Sequence, residues 1–184
     1  MKILIVYGTT EGQTRKIAEF VAGRLRTHGD DVSLVDAAAG GAPDPGKFDA
    51  AILAASIHAS QYQKPVIAYA RGHALALSAM PSMFLSVSLA AAGTDKEDLQ
   101  GIAKCAANFL AETGWQKAEV HHVAGSFQFS EYDFFKGLVM RMIARQKKVK
   151  LKPGEDLELT DWEALGRLTE AFRARLAPRA SKAG

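Results

Sequence analysis

The sequence predicts an α/β domain in which a five-stranded parallel sheet lies between two helical layers, α/β/α, with an insertion before the last helix. Three observations carry this. Strand-like and helix-like segments alternate five times, the pattern of a parallel sheet built from crossover units. The strand segments are continuous apolar runs, as strands buried on both faces must be. A chain of 184 residues, 48% of them apolar, is sufficient for one such domain, residues 1–184, with a substantial core.

The elements follow in order. Ile3 to Tyr7 is apolar and β-branched and reads as the first strand. Gly8 to Gly12 is loop, and Gln13 to about Thr27 is helix, with Ile17, Phe20, Val21 and Leu25 forming one stripe. Gly29-Asp30 interrupts it, and Asp31 to Asp36 is the second strand. Ala38 to Gly46, rich in Gly, Ala and Pro, is loop. Ala50 to Ser56 is the third strand. A helix from Pro65 to Leu77 follows, with Pro65 in the first turn, where a missing N–H costs nothing. Met83 to Leu89 is the fourth strand, and Asp95 to Thr113 a long helix closed by Gly114. Glu119 to Phe127 is the fifth strand. Thr160-Asp161-Trp162-Glu163 has the form of a capping box opening a helix from Asp161 to Leu176. Residues 178–184 are expected to be a disordered tail.

The segment from Ser130 to Leu159 stands outside the alternation. Its first half places Phe134, Leu138, Met142 and Ile143 on one helical face, and its second half is basic before turning at Lys152-Pro153-Gly154. Net charge is only +3, from 23 basic and 20 acidic side chains, yet Phe134 to Gly154 contains no acid. Lys136, Arg141, Arg145, Lys147, Lys148 and Lys150 form either a solvated face or a surface for an anionic partner such as lipid headgroups. No nucleic acid is expected as a partner. No run of about 18 uncharged apolar residues suggests a membrane span, and the N-terminus lacks the form of a signal peptide. A lone Cys105, read as a small core residue, suits a reducing compartment. The expected location is therefore cytoplasmic, with peripheral attachment to the inner face of the membrane as an option.

In an open parallel sheet, ligands bind beyond the carboxyl ends of the strands, where strand order reverses. The loop Thr9-Thr10-Glu11-Gly12-Gln13-Thr14 offers hydroxyls, a glycine turn and the start of a helix, whose free N–H groups attract anions. It has no Lys or Arg before Arg15, so it matches neither a nucleoside triphosphate loop nor a dinucleotide loop. It suits a single phosphate held by neutral donors; an ordinary helix start capped by Thr is the other reading. The loops holding Ala55-Ser56-Ile57-His58 and Ser86-Val87-Ser88-Leu89 would flank a planar ring, with His58 and Tyr62 as candidates to stack or hydrogen-bond. His121 and His122, adjacent on a strand, face opposite sides, which argues against a shared metal, and no metal site is expected.

Together these residues resemble the flavodoxin-like family. The chain looks more narrowly like its menaquinone-dependent protoporphyrinogen dehydrogenase branch. The matching stretches run in order: Gly12-Gln13-Thr14-Arg15-Lys16-Ile17-Ala18, Ala55-Ser56-Ile57, Met80-Pro81-Ser82, Ser86-Val87, Val123-Ala124-Gly125, Tyr132-Asp133 and Thr160-Asp161-Trp162-Glu163. The resemblance implies FMN, with Thr9 to Thr14 on its phosphate and the Ser56 and Ser86 loops beside the isoalloxazine. It also implies oxidation of protoporphyrinogen IX in heme biosynthesis, with electrons passed to a membrane quinone. The basic insertion would then serve substrate or membrane. The chain departs from the family pattern in having His58-Ala59 after Ala-Ser-Ile, Ser88 after Ser-Val, and Ser126-Phe127-Gln128-Phe129 after Gly125. His58 is the candidate proton acceptor. An electron-carrier flavodoxin and an NAD(P)H:quinone-type flavoprotein are the rival readings; carriers of this kind are acidic, whereas this chain is not.

Overall fold

The computed structural model describes residues 1–127 and 157–176. In chain order the elements are β1 (Lys2–Gly8), α1 (Gln13–Thr27), β2 (Asp31–Asp36), β3 (Ala50–Ser56), α2 (Lys64–Gly72) and α3 (Ala74–Ala79). They continue with β4 (Ser82–Ser88), α4 (Lys96–Thr113), β5 (Glu119–Ala124), β6 (Ser126–Phe127), β7 (Leu157–Glu158) and α5 (Trp162–Leu176). The main sheet has the order β2-β1-β3-β4-β5, and every neighbouring pair is parallel. Strand order reverses at β1, so a crevice opens beyond the carboxyl ends of β1 and β3.

The continuous apolar strands are explained by cover on both faces. Ile3, Ile5, Ile52 and Leu85 pack with Ile17, Val21 and Leu25 of α1 and with Leu165 and Phe172 of α5. On the other face Leu4, Val6, Leu53 and Phe84 meet Val66 and Ala70 of α2 and Phe109 of α4. Phe84 stacks on Phe109 with centroids 4.5 Å apart, and Tyr62 and Trp115 meet Phe84 edge-on. Each fully buried Ile or Leu contributes about 1.5–3 kcal/mol, which is what holds the two helical layers to the sheet.

Several expected boundaries move. The helix expected from Pro65 to Leu77 is two helices, broken at His73 (φ −121°), whose ring tilts against Tyr69 at 4.6 Å; Gly72, a poor helix former, precedes the break. The fifth strand ends at Ala124. Gly125 N–H donates to the Ser88 carbonyl, and the Gly125 carbonyl accepts from Leu159 N–H, both at 3.1 Å. This turns the chain out of the sheet, so that Ser126–Phe127 pairs antiparallel with Leu157–Glu158 instead. The capping box is also revised: Asp161, not Thr160, caps α5, its Oδ1 accepting from Ala164 N–H at 2.8 Å. Gly114 closes α4 as expected, at φ 74°, while Asp95, read as the first residue of the helix, is its N-cap, its side chain accepting from Glu97 and Asp98 N–H. Cys105 is half-buried at the core margin, where its thiol donates to the Ser60 carbonyl at 3.5 Å.

Residues 130–156 of the expected insertion, including Phe134, Leu138, Met142, Ile143 and the basic residues from Lys136 to Lys150, lie outside the described residues, as does the tail 178–184. No described helix is long and apolar enough to cross a membrane.

Candidate functional site

A cleft of about 440 Å³, counting its open mouth, lies at the carboxyl ends of the strands. Four loops converge there because parallel pairing brings Gly8, Ala55 and Ser86 into one row, with His122 next in it. Thr9, Glu11, Gln13 and Thr14 line it from the β1–α1 loop, and Ser56, Ile57 and His58 from the loop after β3. Val87, Ser88 and Leu89 contribute from the end of β4, and Gly125 and Ser126 from beyond β5.

The β1–α1 loop is shaped to leave donors available. Gly12 sits at φ 90°, a conformation costly for any residue with a Cβ, and its N–H donates to Thr9 Oγ1 at 2.9 Å. The first helical bond runs from Lys16 N–H to the Gly12 carbonyl, so the N–H groups of the first turn have no acceptor within the helix. That turn contains no acid and Gly12 supplies no side-chain cap. Thr14 is wholly buried, and its Oγ1 has no hydrogen-bond partner among the described residues. A buried hydroxyl without a partner is costly unless a ligand meets it. The loop therefore fits a phosphate held by backbone N–H groups, the helix dipole and hydroxyls.

Gln13 is held by residues about 145 positions away. Its Nε2 donates to Glu158 Oε1 and Oε2 at 2.8 and 3.0 Å and to Thr160 Oγ1 at 2.9 Å. Thr160 Oγ1 in turn donates to the Ala124 carbonyl at 2.7 Å. Thr160 thus ties the loop to β5, which is why it is not the helix cap. Across the cleft, Glu11 Oε1 lies 3.8 Å from His58 Nδ1, both side chains partly exposed.

The loop after β3 is tied both to itself and to β4. Ser56 N–H donates to Gln63 Oε1, Ile57 N–H to the Val87 carbonyl, and His58 and Gln61 exchange both backbone bonds. Ala59 and Ser60 at its tip have φ of 48° and 62°. Beneath this loop, Ala55 and Ser86 are wholly buried and do not line the cleft. Ser86 Oγ hydrogen-bonds Tyr62 Oη at 2.8 Å and His122 Nδ1 at 3.2 Å. Tyr62 is therefore a core residue, packed edge-on against Phe84 and Phe109, and does not stack on a ligand. Burial holds its phenol above the ordinary range, with only partial relief from Ser86. Burial, then the neighbouring His121, pushes the His122 imidazole down. His121 faces the other side and bonds Glu119 at 2.7 Å. Among the described residues no group of three or more His, Cys, Asp or Glu is arranged to hold a metal.

Five residues of the site escaped the sequence reading: Gly125, Ser126, Gln63, Glu158 and Thr160. Only the first two left a usable signal, since β5 is a fourth strand with its carboxyl end at the crevice. The other three act through partners distant in sequence.

Comparison with known proteins agrees with this geometry. A family model described as Flavodoxin domain matches residues 4–152. The chain is 28% identical over 163 residues to protoporphyrinogen IX dehydrogenase (quinone) of Escherichia coli strain K12, covering 89% of this chain and 90% of that protein. It is 29% identical over 174 residues to the protein of the same name from Leishmania major, covering 94% and 75%. Among solved structures it is similar to a flavodoxin from Streptococcus pneumonia TIGR4, with a TM-score of 0.58, 17% identity, and coverage of 95% and 99%.

Proposed function

The chain belongs to the flavodoxin domain family, and from that premise we propose that it holds FMN noncovalently in the cleft. The reaction we assign to it is oxidation of protoporphyrinogen IX to protoporphyrin IX in heme biosynthesis, with electrons leaving to a membrane quinone such as menaquinone. One observation carries the cofactor reading: a helix start that contains no acid and has no side-chain cap, next to a buried Thr14 hydroxyl that has no partner among the described residues. The substrate reading is supported by the relatives named protoporphyrinogen IX dehydrogenase, which align along most of the chain.

Thr9, Thr10, Glu11, Gly12, Gln13 and Thr14 would hold the phosphate. Ser56, Ile57, His58, Val87, Ser88 and Leu89 would lie beside the ring, with Ala55 and Ser86 supporting them from beneath. Bound there, FMN supplies the redox chemistry. Ile57, Val87 and Leu89 supply apolar walls that keep water from the reacting face. His58 Nδ1 faces Glu11, so Nε2 is the atom we assign to take up the proton that substrate oxidation releases; Glu11 is placed to balance the resulting charge.

We place the protein on the cytoplasmic side, peripheral to the membrane, with Lys136, Arg141, Arg145, Lys147, Lys148 and Lys150 facing anionic lipid and no nucleic acid bound. The test is porphyrin fluorescence appearing when FMN-loaded protein meets protoporphyrinogen IX and a menaquinone analogue on anionic vesicles. Turnover is expected, and K147E/K148E/K150E should bind the vesicles less at low salt. No turnover by flavin-loaded protein would rule out the reaction, and unchanged vesicle binding would rule out the lipid role.

A further inference from the structure

We propose that Gln63 is a positioning residue that sets the polarity of two hydroxyls of the cleft, Thr10 and Ser56, so that both point their hydrogens away from it as donors. This rests on the reading that the cleft holds FMN. Gln63 precedes α2 in the N-cap position, yet its side chain makes no cap bond. It reaches back to the end of β3 and to the β1–α1 loop instead. Its Oε1 accepts from Ser56 N–H at 3.2 Å, and its Nε2 donates to Ser56 Oγ at 2.6 Å and to Thr10 Oγ1 at 3.1 Å.

The amide orientation follows from chemistry. A backbone N–H only donates, so the oxygen must face Ser56 N–H and both amide hydrogens go to the hydroxyls. A hydroxyl has one hydrogen; one that accepts from an amide directs that hydrogen elsewhere. Ser56 lines the cleft, and Thr10 stands exposed between the lining residues Thr9 and Glu11. Both hydroxyls are thereby left with a hydrogen to offer a ligand acceptor: phosphate oxygens for Thr10, and a carbonyl oxygen or ring nitrogen for Ser56. Gly8 leaves room for the arrangement: a Cβ there would lie 3.1 Å from Gln63 Cβ and 3.2 Å from its Oε1, so the Gln63 side chain would have to shift slightly.

Two variants separate polarity from packing. Q63E keeps the shape and still accepts from Ser56 N–H, but its carboxylate accepts from both hydroxyls and reverses them. Q63A leaves the hydroxyls free to rotate. Flavin fluorescence quenching should give affinity in the order wild type, Q63A, Q63E for both FMN and riboflavin, with Q63E about tenfold weaker than Q63A. Apo Q63E should melt no lower than apo Q63A. Q63E binding riboflavin as well as Q63A, or Q63A matching wild type, would overturn the inference. So would a Q63E loss confined to FMN, which marks simple repulsion of phosphate. Wild type binding neither flavin would overturn the FMN reading itself, and this inference with it.

Discussion

The two loops that face each other across the cleft use their backbones in opposite ways. The β1–α1 loop takes its positive φ at Gly12, where no Cβ resists it, and leaves the first-turn N–H groups without helical acceptors. The loop after β3 takes positive φ at Ala59 and Ser60, pairs the N–H groups of Ser56, His58 and Gln61 within the segment up to Gln63, and gives that of Ile57 to the Val87 carbonyl of β4. One side therefore offers its main-chain N–H groups, as an anion site would need. The other, its main chain largely committed, offers side chains such as Ser56 and His58 and the apolar walls instead. Gln63 joins the two and passes polarity from one to the other.

The largest way to break this contrast is to force the loops apart. In Gly8→Ala the new Cβ would lie 2.5 Å from Val66 Cγ2, pushing α2 away from β1. Denaturant unfolding should show a loss of about 1–3 kcal/mol, with flavin affinity falling alongside; unchanged stability would show that α2 yields freely. The anion side alone is probed by Thr14→Val, which is nearly isosteric and removes the buried hydroxyl without a partner. The apo protein should gain about 1 kcal/mol while FMN affinity falls about tenfold. Opposite signs are the diagnostic, and a loss of apo stability would mean the hydroxyl has a role within the protein. The smallest effect belongs to the closed side. Ala59→Gly and Ser60→Gly relieve left-handed strain but add chain freedom to the unfolded state, so each should raise stability by less than about 1 kcal/mol. A marked loss of flavin affinity in either variant would show that the strained turn itself contacts the ligand.

Legibility followed the range of the interactions. The five strands, α1, α4 and the turn at Gly12 were readable because periodicity, caps and glycine turns are local. The same local reading misplaced Thr160, whose Ser/Thr-x-x-Glu spacing imitates a cap, because it cannot show that the hydroxyl is engaged by Gln13 and Ala124. It ran one helix through His73, and it extended β5 past Gly125 because Ser126-Phe127 still looks like strand. It offered Tyr62 to the ligand because a loop aromatic reads as exposed, whereas the aromatic cluster of Phe84 and Phe109 draws it inside.

By itself the sequence determined that this is a doubly covered parallel sheet with a glycine-turned, hydroxyl-bearing loop lacking Lys and Arg at Thr9–Thr14, because apolar period and backbone freedom are properties of neighbouring residues. Only the tertiary structure decided which polar groups the cleft offers. Gln63 is bound to Thr10, 53 positions away, and Gln13 to Thr160, 147 positions away. Such partners are chosen by where strands and helices bring side chains within about 3 Å, and no spacing along the chain records that distance.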